Sequence, residues 1–257
     1  MNTLDEKDKQ VQPIIDLHTC IQGEGQLAGV PHILIRLAGC NLRCAFKGSL
    51  CDTPYSSWQV EKGKYTLEDV QKFIRNHPRI AYVMITGGEP TIHSDLLINL
   101  CLISKMEGKF VTIETNGTKP YGESLRDRVT IDLASISPKL KSSTPISAPG
   151  KWGERHEALR ENIPAIVSWI KNAKHIQLKY VVSSEDDIKE VKEQLSKIVS
   201  FLGEEDLEKL STYLMPEGDT EEKLQMKRQW LVERCIEEGF RYTDRLHIII
   251  FGSKREA

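Results

Sequence analysis

Three thiols stand close together in the chain, at Cys40, Cys44 and Cys51, with three and then six residues between them. Cys20, Cys101 and Cys235 are scattered and read most simply as core thiols. Four-ligand zinc sites are usually built from two paired Cys/His groups. No second pair follows here, and His18 and His32 are the only imidazoles near the loop. Three close cysteines suit a 4Fe–4S cluster whose fourth iron lacks a protein ligand. An open iron can bind a small molecule and pass it an electron. Two other readings stay open beside this one: zinc completed by a remote fourth ligand, and three buried thiols that hold nothing.

Further chemistry-bearing residues recur just past apolar runs. Thr86-Gly87-Gly88-Glu89-Pro90 follows one run, Glu114-Thr115-Asn116-Gly117 ends the next, and Ser137-Pro138-Lys139 lies past a third. Lys179 sits within HIQLKYVV, and Met215-Pro216-Glu217-Gly218 closes a later run. Taken singly, each is turn chemistry, with Gly in tight turns and Pro near a first helical position. Arg36 lies in an otherwise apolar run, where a bare guanidinium needs an edge, a carboxylate or a ligand. Gln22-Gly23-Glu24-Gly25 reads by itself as a turn, and Thr53 as a helix cap or a turn hydroxyl.

The elements that must position these groups alternate in period. Strands are expected over residues 32–37, 80–86, 109–114, 129–134, 175–182, 211–215 and 246–251. Helices are expected over 66–77, 91–107, 154–173, 185–201 and 219–238. The stretch 139–153 has no periodicity and reads as a loop. Alternation at this spacing predicts parallel βα units. In such folds the C-terminal strand ends share the face that carries the active site, so the five marked strand ends should converge. The expectation is a single α/β domain over 1–257, an open sheet or a full or partial barrel, with 1–12 a flexible tail.

Composition sets the outer bounds. The 257 residues carry 35 Lys+Arg against 37 Asp+Glu, a formal net charge of −2, and are 39% hydrophobic. That suffices for a sizeable core and argues against a broad nucleic-acid footprint. The charged, acidic N-terminus is unlike a signal peptide, and no apolar run reaches membrane-span length. A cytoplasmic protein with free thiols is expected.

The ordered set of motifs resembles a known family. Cys-x3-Cys with a third cysteine after the first strand of a βα series, followed by Gly87-Gly88-Glu89-Pro90, is similar to the radical S-adenosylmethionine (SAM) superfamily. Within it, the chain resembles 7-carboxy-7-deazaguanine synthases. The residues carrying this are Gln22-Gly23-Glu24-Gly25, Gly29-Val30-Pro31, Ile35-Arg36-Leu37-x-Gly39-Cys40, Cys51-Asp52-Thr53, the three strand-end motifs from Thr86 to Lys139, and the tail from Arg245 to Arg255. One departure is the spacing of six residues before the third cysteine, where most of the superfamily has two.

The resemblance implies a partial (β/α) barrel of the radical SAM type, with the cluster loop after the first barrel strand. It implies a 4Fe–4S cluster on Cys40, Cys44 and Cys51, SAM as cofactor, and Mg²⁺ on Thr53. Leu50, Cys51, Asp52, Gly88, Glu89, Ser137, Pro138 and Lys139 would contact SAM, with Phe46 competing with Leu50 for the adenine. Ile21, Gln22, Gly23, Glu24, Arg36 and Thr86 would hold the substrate, 6-carboxy-5,6,7,8-tetrahydropterin. The product would be 7-carboxy-7-deazaguanine, with loss of ammonia, on the route to 7-deazapurines such as queuosine. An electron donor such as flavodoxin or ferredoxin and a homodimer are implied; nucleic acid and membrane are not. The alternatives are another radical SAM activity, such as an activase or another ring modification, and a non-catalytic iron–sulfur protein.

Overall fold

The computed structural model describes residues 9–46, 49–146, 148, 150–252, 254 and 255. Strand β1 (Ile14–Ile21) runs antiparallel to β2 (Pro31–Leu37), and a short hairpin, β3 (Ala45–Phe46) with β4 (Ser49–Leu50), decorates the cysteine loop. Then come α1 (Pro54–Ser57), α2 (Leu67–Asn76), β5 (Tyr82–Gly87), α3 (Ser94–Met106), β6 (Phe110–Thr115), α4 (Glu123–Arg126) and β7 (Leu133–Ile136). The second half adds α5 (Trp152–Arg160), α6 (Ile163–Asn172), β8 (His175–Val182), α7 (Glu185–Val199), α8 (Glu204–Glu208) and β9 (Leu210–Pro216). It closes with α9 (Glu221–Glu238), β10 (Arg241–Tyr242) and α10 (Leu246–Phe251).

Eight strands form one sheet in the order β1-β2-β5-β6-β7-β8-β9-β10, parallel from β2 onward. Among the described residues its two ends do not pair, so it is an open, partial barrel. The strands are near-continuous apolar runs because helices cover the outer face. Ile33, Ile35, Val83, Ile85, Val111 and Ile113 are fully buried there, packed with Val70 and Ile74 of α2 and Leu100 of α3. Among the described residues no helix is long and apolar enough to cross a membrane.

Local chemistry sets the element ends. Thr66 opens α2 with a reciprocal capping box: its Oγ1 accepts from Asp69 N at 3.0 Å, and its own N–H donates to Asp69 Oδ2 at 2.8 Å. The helix expected over 154–173 is two helices. Asn162 caps the second through Ala165 N at 3.1 Å, and Pro164, which has no N–H to continue the first, sits in its opening turn. The strand expected over 129–134 begins later, at Leu133.

The run 246–251 is a helix, not the strand its apolar content suggested. Six apolar residues do not distinguish the two by pattern alone. Here Ile248 is buried while Ile249, Ile250 and Phe251 face outward, and the edge of the sheet is taken by β10 instead. The antiparallel β1 was not anticipated. Of the expected N-terminal tail, 1–8 lie outside the described residues, whereas Gln12 is bridged to Tyr65.

Candidate active site

The cysteine loop is held largely through its backbone, while Cys40 Sγ accepts a long bond from Leu42 N at 3.4 Å. It leaves β2 at the C-terminal edge of the sheet. Gly39 N donates to Ser56 O at 2.9 Å, and Gly39 O accepts from Glu89 N at 2.9 Å. A Cβ on Gly88 would lie 2.1 Å from Gly39 O and 2.5 Å from Ser56 O, so only glycine lets the end of β5 press this closely. Arg43 Nη1 donates to the carbonyls of Cys40 (2.7 Å) and Leu42 (2.9 Å), and its guanidinium lies 4.3 Å from the Trp152 ring centroid. Trp58 Nε1 donates to Cys44 O at 3.0 Å.

All six cysteines are unbridged, and Cys40, Cys44 and Cys51 line one cavity of about 340 Å³. Burial pushes the Cys40 thiol up to about 12, with the Glu89 charge adding to it. Cys44 and Cys51 are raised as well, by burial first; the Cys51 and Cys40 charges add to the shift of Cys44, and the Asp52 charge adds to that of Cys51. A cationic metal group that replaces the thiol protons relieves all three at once. Among the described residues no three His, Cys, Asp or Glu side chains close on a single ion. Three thiols facing one cavity fit an iron–sulfur cluster with an open iron.

Thr53 precedes α1, but its side chain makes no cap hydrogen bond; its hydroxyl stands 3.6 Å from Cys51 Sγ, facing the cavity. Its carbonyl instead accepts from the Ser56 and Ser57 hydroxyls at 2.9 and 3.1 Å.

A second group of side chains lining the cavity is charged. Lys179 of β8, 4% exposed, donates to Glu24 Oε2 and lies 3.6 Å from Glu114 Oε1. Arg245 reaches Glu24 Oε1 at 3.4 Å and Asp52 Oδ2 at 3.0 Å. Burial by itself would raise the Glu24 carboxyl, yet the neighbouring Lys179 and Arg245 hold it well below the usual carboxylate range. Lys179 is raised in turn: burial opposes its charge, and Glu24 and Glu114 outweigh that. Glu114 gathers the neighbouring polar groups, accepting from Thr86 Oγ1 at 3.0 Å and Gln22 Nε2 at 3.3 Å. Gly23 lets His247 pack against the same turn, since a Cβ there would lie 2.0 Å from His247 Nδ1.

Of the residues expected at the site, Ile21, Gln22, Gly23, Glu24, Arg36, Cys40, Cys44, Cys51, Asp52, Thr53, Thr86, Gly88, Ser137 and Lys139 all line this cavity. Leu50 does not; with Phe46 it lines a smaller adjoining pocket of about 70 Å³, so the two flank it together. Pro138 and Glu89 are not among the lining residues. Glu89 is 0% exposed and spent inside the protein. It accepts from Thr91 N (3.0 Å), Thr91 Oγ1 (2.7 Å), Thr115 Oγ1 (2.8 Å) and Asn116 N (2.6 Å), which ties the end of β5 to the end of β6.

Sequence reasoning did not include Lys179, Glu114, Arg245 and His247 among the site residues. The signals were there: Glu114 and Lys179 belonged to the marked strand ends, and Arg245 and His247 to the tail motif. Cys20, expected in the core, also lines the cavity, and its thiol is pushed up to about 11 by burial and then by Glu114.

The chain is similar to known proteins. The radical SAM superfamily model matches residues 34–170. A 7-carboxy-7-deazaguanine synthase of Halobacterium salinarum is 35% identical over 97% of this chain and 94% of its own length. One of Rhodopirellula baltica is 36% identical over 91% of this chain and 84% of its own. In fold, the chain is similar to the crystal structure of QueE from Escherichia coli, with a TM-score of 0.60 at 24% identity, covering 91% of this chain and 94% of that one. The chain belongs to the radical SAM superfamily and, within it, to the 7-carboxy-7-deazaguanine synthase family.

Proposed function

We propose that this protein converts 6-carboxy-5,6,7,8-tetrahydropterin to 7-carboxy-7-deazaguanine with loss of ammonia, the step that supplies 7-deazapurine (queuosine-type) biosynthesis. The observation that carries the reading is one cavity lined both by three unbridged thiols and by the Gln22, Glu24, Arg36 and Thr86 side chains. The 35% identity to a synthase of that name over nearly the whole chain supports it.

Cys40, Cys44 and Cys51 hold the 4Fe–4S cluster. Together with SAM it supplies, when bound, one-electron cleavage of a sulfonium and abstraction of a hydrogen atom. Gly88, Asp52, Ser137 and Lys139 line the space for SAM, with Leu50 and Phe46 flanking it from the adjoining pocket. Lys139 Nζ donates to Ser137 Oγ at 2.8 Å, which keeps that strand end ordered. Glu89 serves from beneath by holding Thr115 and Asn116 in place.

The pterin lies toward the charged group, where amide, hydroxyl and carboxylate groups match its donor and acceptor edge. Glu24 accepts from its guanidine-like N–H groups, and the Arg36 guanidinium takes the 6-carboxylate. The Thr53 hydroxyl, not spent on its helix, binds Mg²⁺ beside the cluster, where the ion keeps waters and takes substrate oxygens. A homodimer, a flavodoxin- or ferredoxin-type donor and a cytoplasmic setting, where thiols stay reduced, complete the reading.

The test is anaerobic. The protein is reconstituted with iron and sulfide, reduced, and given SAM, Mg²⁺ and 6-carboxytetrahydropterin, with mass detection of products. Both 7-carboxy-7-deazaguanine and 5′-deoxyadenosine are expected. Deoxyadenosine alone would leave the superfamily chemistry and remove the substrate; neither product from a cluster-loaded protein would leave a non-catalytic iron–sulfur protein.

A further inference from the structure

Arg36 does not stand alone in its strand. Its Nε donates to Asp16 Oδ2 at 3.1 Å, and Asp16, on the neighbouring β1, is 0% exposed. The other oxygen of Asp16 is taken from the far end of the chain: Arg255 Nε and Nη2 reach Oδ1 at 3.1 and 2.7 Å. Arg255 is anchored on two further sides. Its terminal nitrogens reach the Glu61 carboxylate at 2.7 and 3.0 Å, and its guanidinium stacks on Tyr55, 3.8 Å from the ring centroid. Arg36, Tyr55 and Arg255 all line the cavity.

A buried carboxylate facing one arginine would ordinarily draw it into a two-pronged pair and spend its whole fork. Here Arg255 occupies one oxygen, and Arg36 meets the other through Nε. Among the described residues Arg36 makes no other hydrogen bond, so its terminal nitrogens are open to a ligand. The charges close as well: Asp16 and Glu61 balance Arg36 and Arg255, so a buried acid is not left uncompensated.

We propose that Asp16 and Arg255 are positioning residues for Arg36, holding its guanidinium side-on so that its terminal nitrogens receive the carboxylate of the substrate. This rests on the reading that the substrate is a 6-carboxylated pterin. The segment after α10 then has a task in substrate selection. It matters for the ligand's carboxylate and not for its ring, for SAM or for the cluster.

The test uses the cluster-loaded protein with SAM bound, titrated with 6-carboxypterin and with pterin lacking the carboxylate, followed by pterin fluorescence. Wild-type protein should prefer the carboxylated ligand about tenfold or more. Arg255→Gln and Asp16→Asn should lose most of that preference while binding unsubstituted pterin as before, and Arg255→Lys should recover part of it. In turnover, Arg255→Gln should raise KM about tenfold with kcat little changed, the signature of lost uniform binding. Should Asp16→Asn fail to fold, the Arg255 variants carry the test. An unchanged preference in Arg255→Gln, or an equal loss for both ligands, overturns the assignment while wild-type turnover of 6-carboxytetrahydropterin stands. Wild-type protein that neither turns over that substrate nor prefers the carboxylated ligand overturns the functional reading and this inference with it.

Discussion

Among the cavity-lining residues, Cys40, Cys44 and Cys51 are buried thiols whose loss of a proton is opposed first by burial and then by neighbouring negative charge. In the charged group, Glu24 and Lys179 are just as deeply placed, yet each keeps its charge because the other stands against it. The first region is incomplete until a metal group takes the place of the protons. The second is built to carry charge in the absence of any ligand. Binding at the thiols is therefore a chemical loading step, whereas the charged group is preformed and spends little on reorganisation when a polar ligand arrives.

The strongest way to break this contrast is at the thiols. Replacing any one of Cys40, Cys44 or Cys51 with Ala should abolish stable cluster assembly and product formation, read by iron content, the visible absorption of the reconstituted protein and product yield. The same changes should move the thermal midpoint of the metal-free protein little, because a neutral thiol there makes few polar bonds. A large drop in the metal-free midpoint would mean the loop needs its thiols to fold.

In the charged group the expectation is reversed. Lys179→Met leaves Glu24 with one cation fewer in a buried site and should cost about 3–5 kcal/mol at neutral pH, measured by urea unfolding. The sign of the pH dependence follows from the shifts. Glu24 has a lowered folded value, so its contribution is present above its ordinary 4.5 and is lost only as pH falls through the lowered value. Lys179 has a raised value, so its contribution is present below its ordinary 10.5 and is lost as pH rises through the raised one. Wild-type protein should hold this pair from pH 4.5 to 10.5. In Lys179→Met, Glu24 should titrate higher and the variant should close part of its deficit as pH falls toward 4.5. A deficit that does not change with pH would make Lys179 a packing residue.

Gly88→Ala probes the cavity wall. The added methyl meets Gly39 O and Ser56 O, backbone atoms that give way poorly, and should cost about 1–3 kcal/mol with weaker cluster retention. The smallest effects separate two threonines. Thr66→Ala breaks a capping box and should cost about 1 kcal/mol. Thr53→Ala, whose side chain caps nothing, should cost under about 0.5 kcal/mol and instead remove the response of turnover to Mg²⁺.

Much of this was legible before any coordinates. Closely spaced thiols, glycine-bearing strand ends and alternating period pointed to a cluster loop and a shared face. The motif residues Gln22, Arg36, Thr86, Ser137 and Lys139 do meet there. What escaped were partners far apart in sequence. Glu24 and Lys179 are 155 positions apart, and Arg255 and Asp16 are 239 apart. Glu89 shows the converse: its motif made it a ligand contact, and its bonds to Thr115 and Asn116 turned it inward. The run 246–251 was read as a strand because apolar content alone carries no direction.

The amino-acid sequence by itself determined the thiol spacing, the order of strands and helices and the turn chemistry at strand ends, because these depend on period and on neighbours along the chain. Only the tertiary structure decided which charges are neutralised and which groups stay open to a ligand. That choice depends on burial and on contacts a few ångströms across, and Asp16 and Lys179 find their partners only when β1, β8 and the segment after α10 are brought around one cavity.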